Sequence, residues 1–316
     1  MRDARFLQQR AEALRSLASP CRLCPRRCGV DRLAGEMGFC RTGAEARIAR
    51  AVPHMGEEPP LSGTRGAGTI FFSGCHLGCV FCQNHQISHG GLGQAVSVRD
   101  LADTMLLIAA KGCHNIELVS ATHLLPWVVS ALAVAVENGL DLPVVWNSGG
   151  YEASETLALL EGVVDVYLPD AKYGTNERGR RYSGVGDYVD RNLAALDEMV
   201  RQTGTGLEID KEGVARRGII VRHLVLPGGA EDSIRVLECL RDRYGTGLHV
   251  AVMSQFLPAY RASRFEELKK GLSMDEYRIV LEAVERLGFE NGWVQKAEPP
   301  EPSLLPDFSV DCDMMP

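Results

Sequence analysis

Thr69–Asn84 reads TIFFSGCHLGCVFCQN, and three of its last ten residues are thiols. Cys75, Cys79 and Cys82 fall within eight residues, directly after an apolar, aromatic and β-branched run that reads as a buried strand. A structural zinc ion closes its tetrahedron with four protein ligands, so three cysteines in one loop are one short. A cubane [4Fe-4S] cluster has four irons, so three thiolates hold it and leave one iron open to another ligand. The competing reading is a zinc knuckle completed by His76, His85 or His89.

Working outward, composition narrows the classes. At 316 residues and 45% hydrophobic content the chain can bury a large core, which fits one α/β domain with a small appendage. The first residues, MRDARFLQQRAEALRSLA, are charged throughout, and no apolar run approaches the ~20 residues of a membrane helix. We therefore expect a cytoplasmic protein with no membrane partner. Ten cysteines in such a chain argue for metal ligation over disulfides, because a reducing compartment keeps thiols free. Charge is uneven: residues 1–50 hold eleven Arg against five acidic residues, a surplus of six, so the remainder carries −13 of the net −7. An Arg-rich lobe suits an anionic partner or is an ordinary solvated face; nucleic acid is the disfavoured partner.

After residue 68, short β-rich runs alternate with helical patterns. The runs are 69–73, 116–120, 144–147, 163–168, 219–226 and 249–255. Ser97-x-x-Asp100 reads as a capping box, Gly112 and Gly139 as helix C-caps, and Pro126 as a first-turn residue. Six β-α units with apolar strands imply parallel strands covered by helices, either curled into a partial (β/α)6 barrel or wound as a two-faced sheet. Both place a site at the carboxyl ends of the strands. The polar residues collect there: Cys75, Thr122 and His123, Asn147 and Ser148, Asp170 and Lys172, the 227–232 turn, and Gln255.

The C-x3-C-x2-C spacing with Phe81 before the third cysteine resembles the radical S-adenosylmethionine (SAM) superfamily, whose fold is a partial TIM-like barrel. SGCHLGCVFCQN resembles the matching segment of pyruvate formate-lyase activating enzymes. Asp170-Ala171-Lys172 resembles their D-x-K, and Val225-Leu226-Pro227-Gly228 their V-x-P-G-x-x-D, with Glu231 in the acidic place and Asp232 one residue late. The chain departs from them after the second strand, where Ser120-Ala121-Thr122-His123 replaces Gly-Gly-Glu; it is most similar to a related subfamily of unassigned substrate. The resemblance implies a [4Fe-4S] cluster on Cys75, Cys79 and Cys82 and SAM as exchangeable cofactor. It further implies SAM contacts from Phe81, Ser120, Thr122, Asn147, Ser148, Asp170, Lys172, Val225 and Pro227, and a catalytic place for His123. In that superfamily one electron, from a donor such as flavodoxin or ferredoxin, cleaves SAM to a 5′-deoxyadenosyl radical that takes hydrogen from the substrate. A glycine of a partner protein is the leading substrate class, a small molecule or RNA the alternative. A non-catalytic metal-binding adaptor is the reading from another class.

A second group, Cys21, Cys24, Cys28 and Cys40, is spaced C-x2-C-x3-C-x11-C. Four thiols suit zinc or a second [4Fe-4S] cluster, and so short a Gly-containing segment has too little apolar surface to fold unaided. Cys113, Cys239 and Cys312 stand alone and read as packing thiols. The expected organisation is residues 1–60 as N-terminal helix and four-cysteine segment, 61–260 as the barrel, and 261–316 as a C-terminal helix and Pro-rich acidic tail.

Overall fold

The computed structural model describes residues 3–298 and 305–309. Its strands are β1 (Ala46–His54), β2 (Ala67–Phe72), β3 (Gln94–Val96), β4 (Ile116–Val119), β5 (Val144–Ser148), β6 (Val166–Pro169), β7 (Leu207–Ile209), β8 (Ala215–Leu224), β9 (His249–Met253) and β10 (Asn291–Val294). Its helices are α1 (Ala4–Ser16), α2 (Pro59–Ser62), α3 (His85–Ser88), α4 (Val98–Ala110), α5 (Leu125–Glu137), α6 (Ser154–Ala158), α7 (Asn176–Ser183), α8 (Tyr188–Thr203), α9 (Ala230–Tyr244) and α10 (Met274–Leu287).

One sheet runs β10-β9-β8-β6-β5-β4-β2-β1-β3. The stretch from β2 to β10 is parallel throughout, β1 and β3 add antiparallel strands at one side, and β7 pairs antiparallel with β8. Edges β3 and β10 do not meet, so the barrel is open. All six expected strands are present within a few residues. Four strands were not foreseen as members of this sheet: the three-residue β3 and β7, and β1 and β10. β10, reading NGWV, is short, Gly-containing and largely exposed, which gives no apolar run to detect. β1 comes from the N-terminal segment and pairs with β2 from Ile48↔Phe72 to His54↔Ala67, so the extension is built into the sheet.

Helix ends follow the local sequence. Ser97 accepts from Asp100 N while Asp100 accepts from the Ser97 backbone, closing the capping box of α4. Lys111 and Asn138 are the C-caps of α4 and α5, each followed by a left-handed glycine, Gly112 and Gly139.

Alternation along the strands decides what faces inward. Leu61 of α2 packs with Val145, Val166, Leu168, Ala215, Ile220 and Ala251, forming the apolar floor of the barrel interior. The opposite faces, with Ile70, Phe72, Ile116, Leu118, Val144, Trp146 and Val221, join the larger core beneath the helices. Two residues beyond the floor, on the same inward faces, Asn147 and Arg222 begin a polar layer. The isolated pairing Asp170↔Arg222 and the bond Asp170 N→Ser148 O, 2.9 Å, extend the sheet to the start of the D-A-K segment.

Candidate cluster and cofactor site

The 75–82 loop leaves the end of β2 and is framed by backbone bonds. Gly78 N donates to Ser183 O at 3.0 Å, Val80 N to Tyr182 O at 2.8 Å, and Arg261 N to Val80 O at 2.8 Å. Gly74 has φ +83°, and a Cβ there would sit 2.5 Å from the Cys40 carbonyl oxygen; only glycine lets the extension press this closely on the loop. Cys79 Sγ lies 3.0 Å from Ser183 Oγ, which is 2.7 Å from the Tyr173 hydroxyl. Burial, then repulsion from Cys79 and its neighbours, pushes the Cys75 thiol far up and that of Cys82 to about 11, while the Lys172 ammonium pulls both down. Buried thiols crowded enough to resist ionisation are the chemistry a cationic iron cluster would relieve.

Among the described residues, no group of three or more His, Cys, Asp or Glu is gathered as the ligands of a single metal ion are. Three desolvated thiols on one loop are the kind of donor set that a three-thiolate cluster takes.

Lys172 Nζ pairs with Asp170 Oδ2, and Arg222 Nε donates to Asp170 Oδ1 at 3.3 Å. Burial works against both charges, yet the pairing wins: Asp170 is held below the usual carboxylate range and Lys172 above the usual amine value. Gly150 brings the β5 turn against this pair. Its φ is +71°, and a side chain there would collide with the Asp170 carbonyl and the Asn192 amide.

Arg222 also donates to Asn147 Oδ1 at 2.6 Å and to Glu57 Oε2 at 3.2 Å, and Asn147 Nδ2 donates to Glu117 Oε1 at 2.6 Å. Thr69 Oγ1 completes the layer with a 3.0 Å bond to Glu117 Oε2. Burial, then the neighbouring Glu117, raises Glu57 to about 7; burial raises Glu58 to about 7 and lifts Glu117 as well. Glu57, Glu58, Glu117 and Arg222 were not singled out from sequence. Glu117 and Arg222 did carry a signal: a lone charge inside an apolar strand, IELV and IIVRHL, has to face a polar interior.

The other expected residues sort as follows. Phe81 is buried and packs on Phe256, centroids 6.0 Å apart. Ser120 holds a left-handed backbone (φ +54°) and its N–H donates to Asn147 O at 2.8 Å. Thr122 Oγ1 donates to Glu152 Oε1 at 2.8 Å; burial raises Glu152 to about 8. Ser148 Oγ accepts from Gly150 N at 3.3 Å. Val225 N donates to Met253 O at 3.0 Å, and both Val225 and Pro227 are buried at the end of β8. Of the two acidic residues that follow, Asp232 is the one turned inward, accepting from Gly174 N at 3.0 Å. His123 donates from Nε2 to Ser73 O at 2.9 Å, and its ring lines a cavity with the N-terminal cysteines. His85 and His89 stack on Tyr260, at 5.4 and 4.9 Å between centroids. Cys113 is buried and Cys239 partly buried; Cys312 lies outside the described residues, as does most of the tail.

Cys21, Cys24, Cys28 and Cys40 surround one cavity of about 10 Å³, completed by Leu23, Arg26, Arg32, Phe39, His76 and His123. Cys40 Sγ sits 3.1 Å from Thr42 Oγ1, and burial pushes Cys24 up to about 12. Cys28 is exposed, the other three buried.

An open parallel α/β barrel carries one buried and two partly buried thiols at the end of its first parallel strand, beside an inward carboxylate-ammonium pair, an arrangement suited to cluster-binding barrel enzymes. Residues 69–207 match the family described as the Radical SAM superfamily, so the chain contains a radical SAM domain. It is 30% identical over 295 residues, 90% of its own length and 80% of the relative's, to the uncharacterized protein MJ0674 of Methanocaldococcus jannaschii. Among solved structures it is similar to the FeFe-hydrogenase maturase HydG from Carboxydothermus hydrogenoformans (15% identity, TM-score 0.48, 70% of this chain and 50% of that one). It is also similar to anSMEcpe with bound AdoMet (11% identity, TM-score 0.44, 68% and 57%). The chain thus spans little more than half the length of these solved relatives. No helix among the described residues is long and apolar enough to cross a membrane.

Proposed function

We propose that this is a cytoplasmic radical SAM enzyme that takes a hydrogen atom from a glycine of a partner protein, in the manner of the glycyl-radical activases. The observation that carries the radical SAM reading is the Cys75-Cys79-Cys82 loop at the end of β2 with the buried Lys172–Asp170 pair near it, whose ammonium counters the upward push of burial on Cys75 and Cys82. Cys75, Cys79 and Cys82 would hold a [4Fe-4S] cluster, and Asp170 and Lys172 would orient SAM, with Phe81, Ser120, Thr122, Asn147, Ser148, Val225 and Pro227 around it. When bound, the cluster and SAM supply one-electron cleavage of a carbon–sulfur bond and a carbon radical. The chain's own residues fix positions and exclude water: the apolar floor closes the barrel from below, and the buried Phe81–Phe256 pair stands beside the thiols. An acidic flavodoxin or ferredoxin suits the Arg-rich extension as electron donor.

A protein substrate is favoured by the chain's own tail. Asp307 and Phe308 lie against the region just outside the cluster loop: Phe308 N donates to Gln86 Oε1 at 2.7 Å, Arg50 Nη2 to Asp307 O at 2.6 Å, and Phe308 packs on Phe71 at 5.3 Å. This face accepts an extended peptide through its backbone. Cys21, Cys24, Cys28 and Cys40 would hold a second metal, zinc or a [4Fe-4S] cluster.

The test is anaerobic reconstitution with iron and sulfide, then SAM and a reductant. We expect 5′-deoxyadenosine from the wild type and none from Cys79→Ala at unchanged fold; continued production in that variant would remove the loop from the chemistry. Incubation with candidate glycyl-radical proteins reads the substrate class through the carbon-radical signal.

A further inference from the structure

The cavity of the N-terminal cysteines has a wall that does not come from the N-terminal segment. His76, the residue after Cys75, and His123, from the turn after β4, both line it. Their side chains are 2% and 1% exposed. Each ring is pinned through Nε2 on a backbone carbonyl, His76 on Tyr151 O at 2.8 Å and His123 on Ser73 O at 2.9 Å. A carbonyl only accepts, so Nε2 is the N–H in both, and a neutral ring then carries its lone pair on Nδ1. Among the described residues, neither Nδ1 atom has a hydrogen-bond partner, although both are buried. Two buried lone pairs without partners are costly unless something occupies the cavity.

Metal-ligating histidines have this arrangement: the distal N–H is held by a carbonyl or carboxylate, which fixes tautomer and orientation for the ligating nitrogen. The Glu152 carboxyl, 4.0 Å from His76 Nε2, adds the outer carboxylate of that pattern. Thiols alone leave both imidazoles unexplained, and a bridging water would satisfy the imidazoles but not the choice of four cysteines around them.

We propose that the second metal centre has mixed thiolate-imidazole ligation: a thiophilic metal, held by cysteines of the 21–40 segment, is also bound through Nδ1 of His76 or His123. This deepens the proposed four-cysteine site and is independent of SAM chemistry. Six donors line the cavity without standing as close together as the ligands of one ion do, so binding would draw their side chains inward; an ion such as zinc takes four, and exposed Cys28 is the thiol most easily replaced by an imidazole. Binding releases the thiol protons to solvent as the metal–sulfur bonds form, with no redox change. It also ties the extension to the residue next to Cys75, alongside the existing bond from Arg26 Nε to His76 O.

The experiment uses the full chain purified without air, as wild type and as Cys75→Ala/Cys79→Ala/Cys82→Ala, which lacks the catalytic cluster. We expect the triple variant to retain metal: zinc without sulfide identifies an ion, iron with labile sulfide a cluster. X-ray absorption at that metal's edge should show nitrogen beside sulfur, for zinc at ~2.0–2.1 Å against ~2.3 Å. Adding His76→Phe and His123→Phe should abolish the nitrogen shell and weaken retention against a chelator at least tenfold. A shell of sulfur alone overturns the proposal, as does a cavity that binds no metal. The spectrum of the triple variant decides the matter even if the histidine variants misfold. Absence of SAM cleavage by the reconstituted wild type, with this metal present, would count against the catalytic reading alone.

Discussion

Replacing Lys172 and Arg222 separately by Met distinguishes a cofactor-binding cation from a structural one, because the two share Asp170 but not their other partners. Lys172 has one carboxylate partner, Asp170, which keeps its 3.3 Å bond from Arg222 Nε when Lys172 is gone. No buried carboxylate is then left alone, and Met retains most of the apolar stem, so stability should fall by well under the ~3–5 kcal/mol that stranding a buried charge costs. If the ammonium holds SAM, deletion of one charge-assisted hydrogen bond costs about 1.5–3 kcal/mol of binding, roughly ten- to a hundredfold in Kd. Arg222 instead serves Asp170, Asn147 and Glu57 at once and is 16% exposed. Removing it breaks a mostly buried ion-pair network at about 3–5 kcal/mol, offset in part because Glu57, already near 7, can take a proton. At ~2–4 °C per kcal/mol, Arg222→Met should melt on the order of 10 °C lower. Calorimetry and equilibrium SAM binding on the same anaerobic samples read both quantities. The reasoning fails if Lys172→Met melts as early as Arg222→Met while binding SAM as tightly as the wild type.

Glu57 is raised to about 7 by burial and Glu117, so its contribution is complete below its unfolded value near 4.5 and is lost as pH rises toward 7; Glu57→Gln should flatten the fall in Tm between pH 5 and 8, and an unchanged slope would place the titration elsewhere. Gly150→Ala forces a left-handed φ on a residue with Cβ against the Asp170 carbonyl, so we expect more than about 1–2 kcal/mol of destabilisation and weakened SAM binding, measured by denaturant titration and binding assay. Phe308→Ala removes a ring packed on Phe71 and Arg50; because residues 305–309 can release without global unfolding, Tm should move little while limited proteolysis within 305–309 quickens, and equal cleavage rates would contradict the docking.

The parallel strands β2, β4, β5, β6, β8 and β9 could be read from the sequence because each is an apolar run bounded by polar or glycine residues, and the caps because Ser97, Asp100, Gly112 and Gly139 act through local geometry. β1 was not legible as part of the sheet. Its strand ARIARAVPH mixes Arg with apolar residues because it is only partly covered, so its pattern resembles that of a basic surface segment. β10 was hidden for the same reason, its residues being mostly exposed. Pairing across the boundaries of the chain's segments is a tertiary fact, which no local signal carries.

The site divides along the same line. Cysteines at short spacing are visible because the ligands of one centre lie on one loop, and Asp170 and Lys172 because they are two residues apart. Glu57, Asn147, Glu117 and Arg222 come from four separate places and meet only when the sheet curls; Glu57 arrives on the turn leading into α2, whose Leu61 closes the floor. That origin has an electrostatic consequence. The interior gathers the carboxyls of Glu57, Glu58, Glu117 and Asp170 around the cations of Arg222 and Lys172, more acids than bases. The surplus is tolerated because burial holds Glu57 and Glu58 near 7, partly protonated at neutral pH, leaving Arg222 and Lys172 to face the stronger acid Asp170. Two of the raised carboxyls, Glu57 and Glu58, sit on the extension, whereas Glu117, also raised, and Asp170, held low, sit on the barrel. Seating of the turn before α2 therefore contributes two of the four carboxyls that set how negative the polar layer beside the proposed cofactor site is.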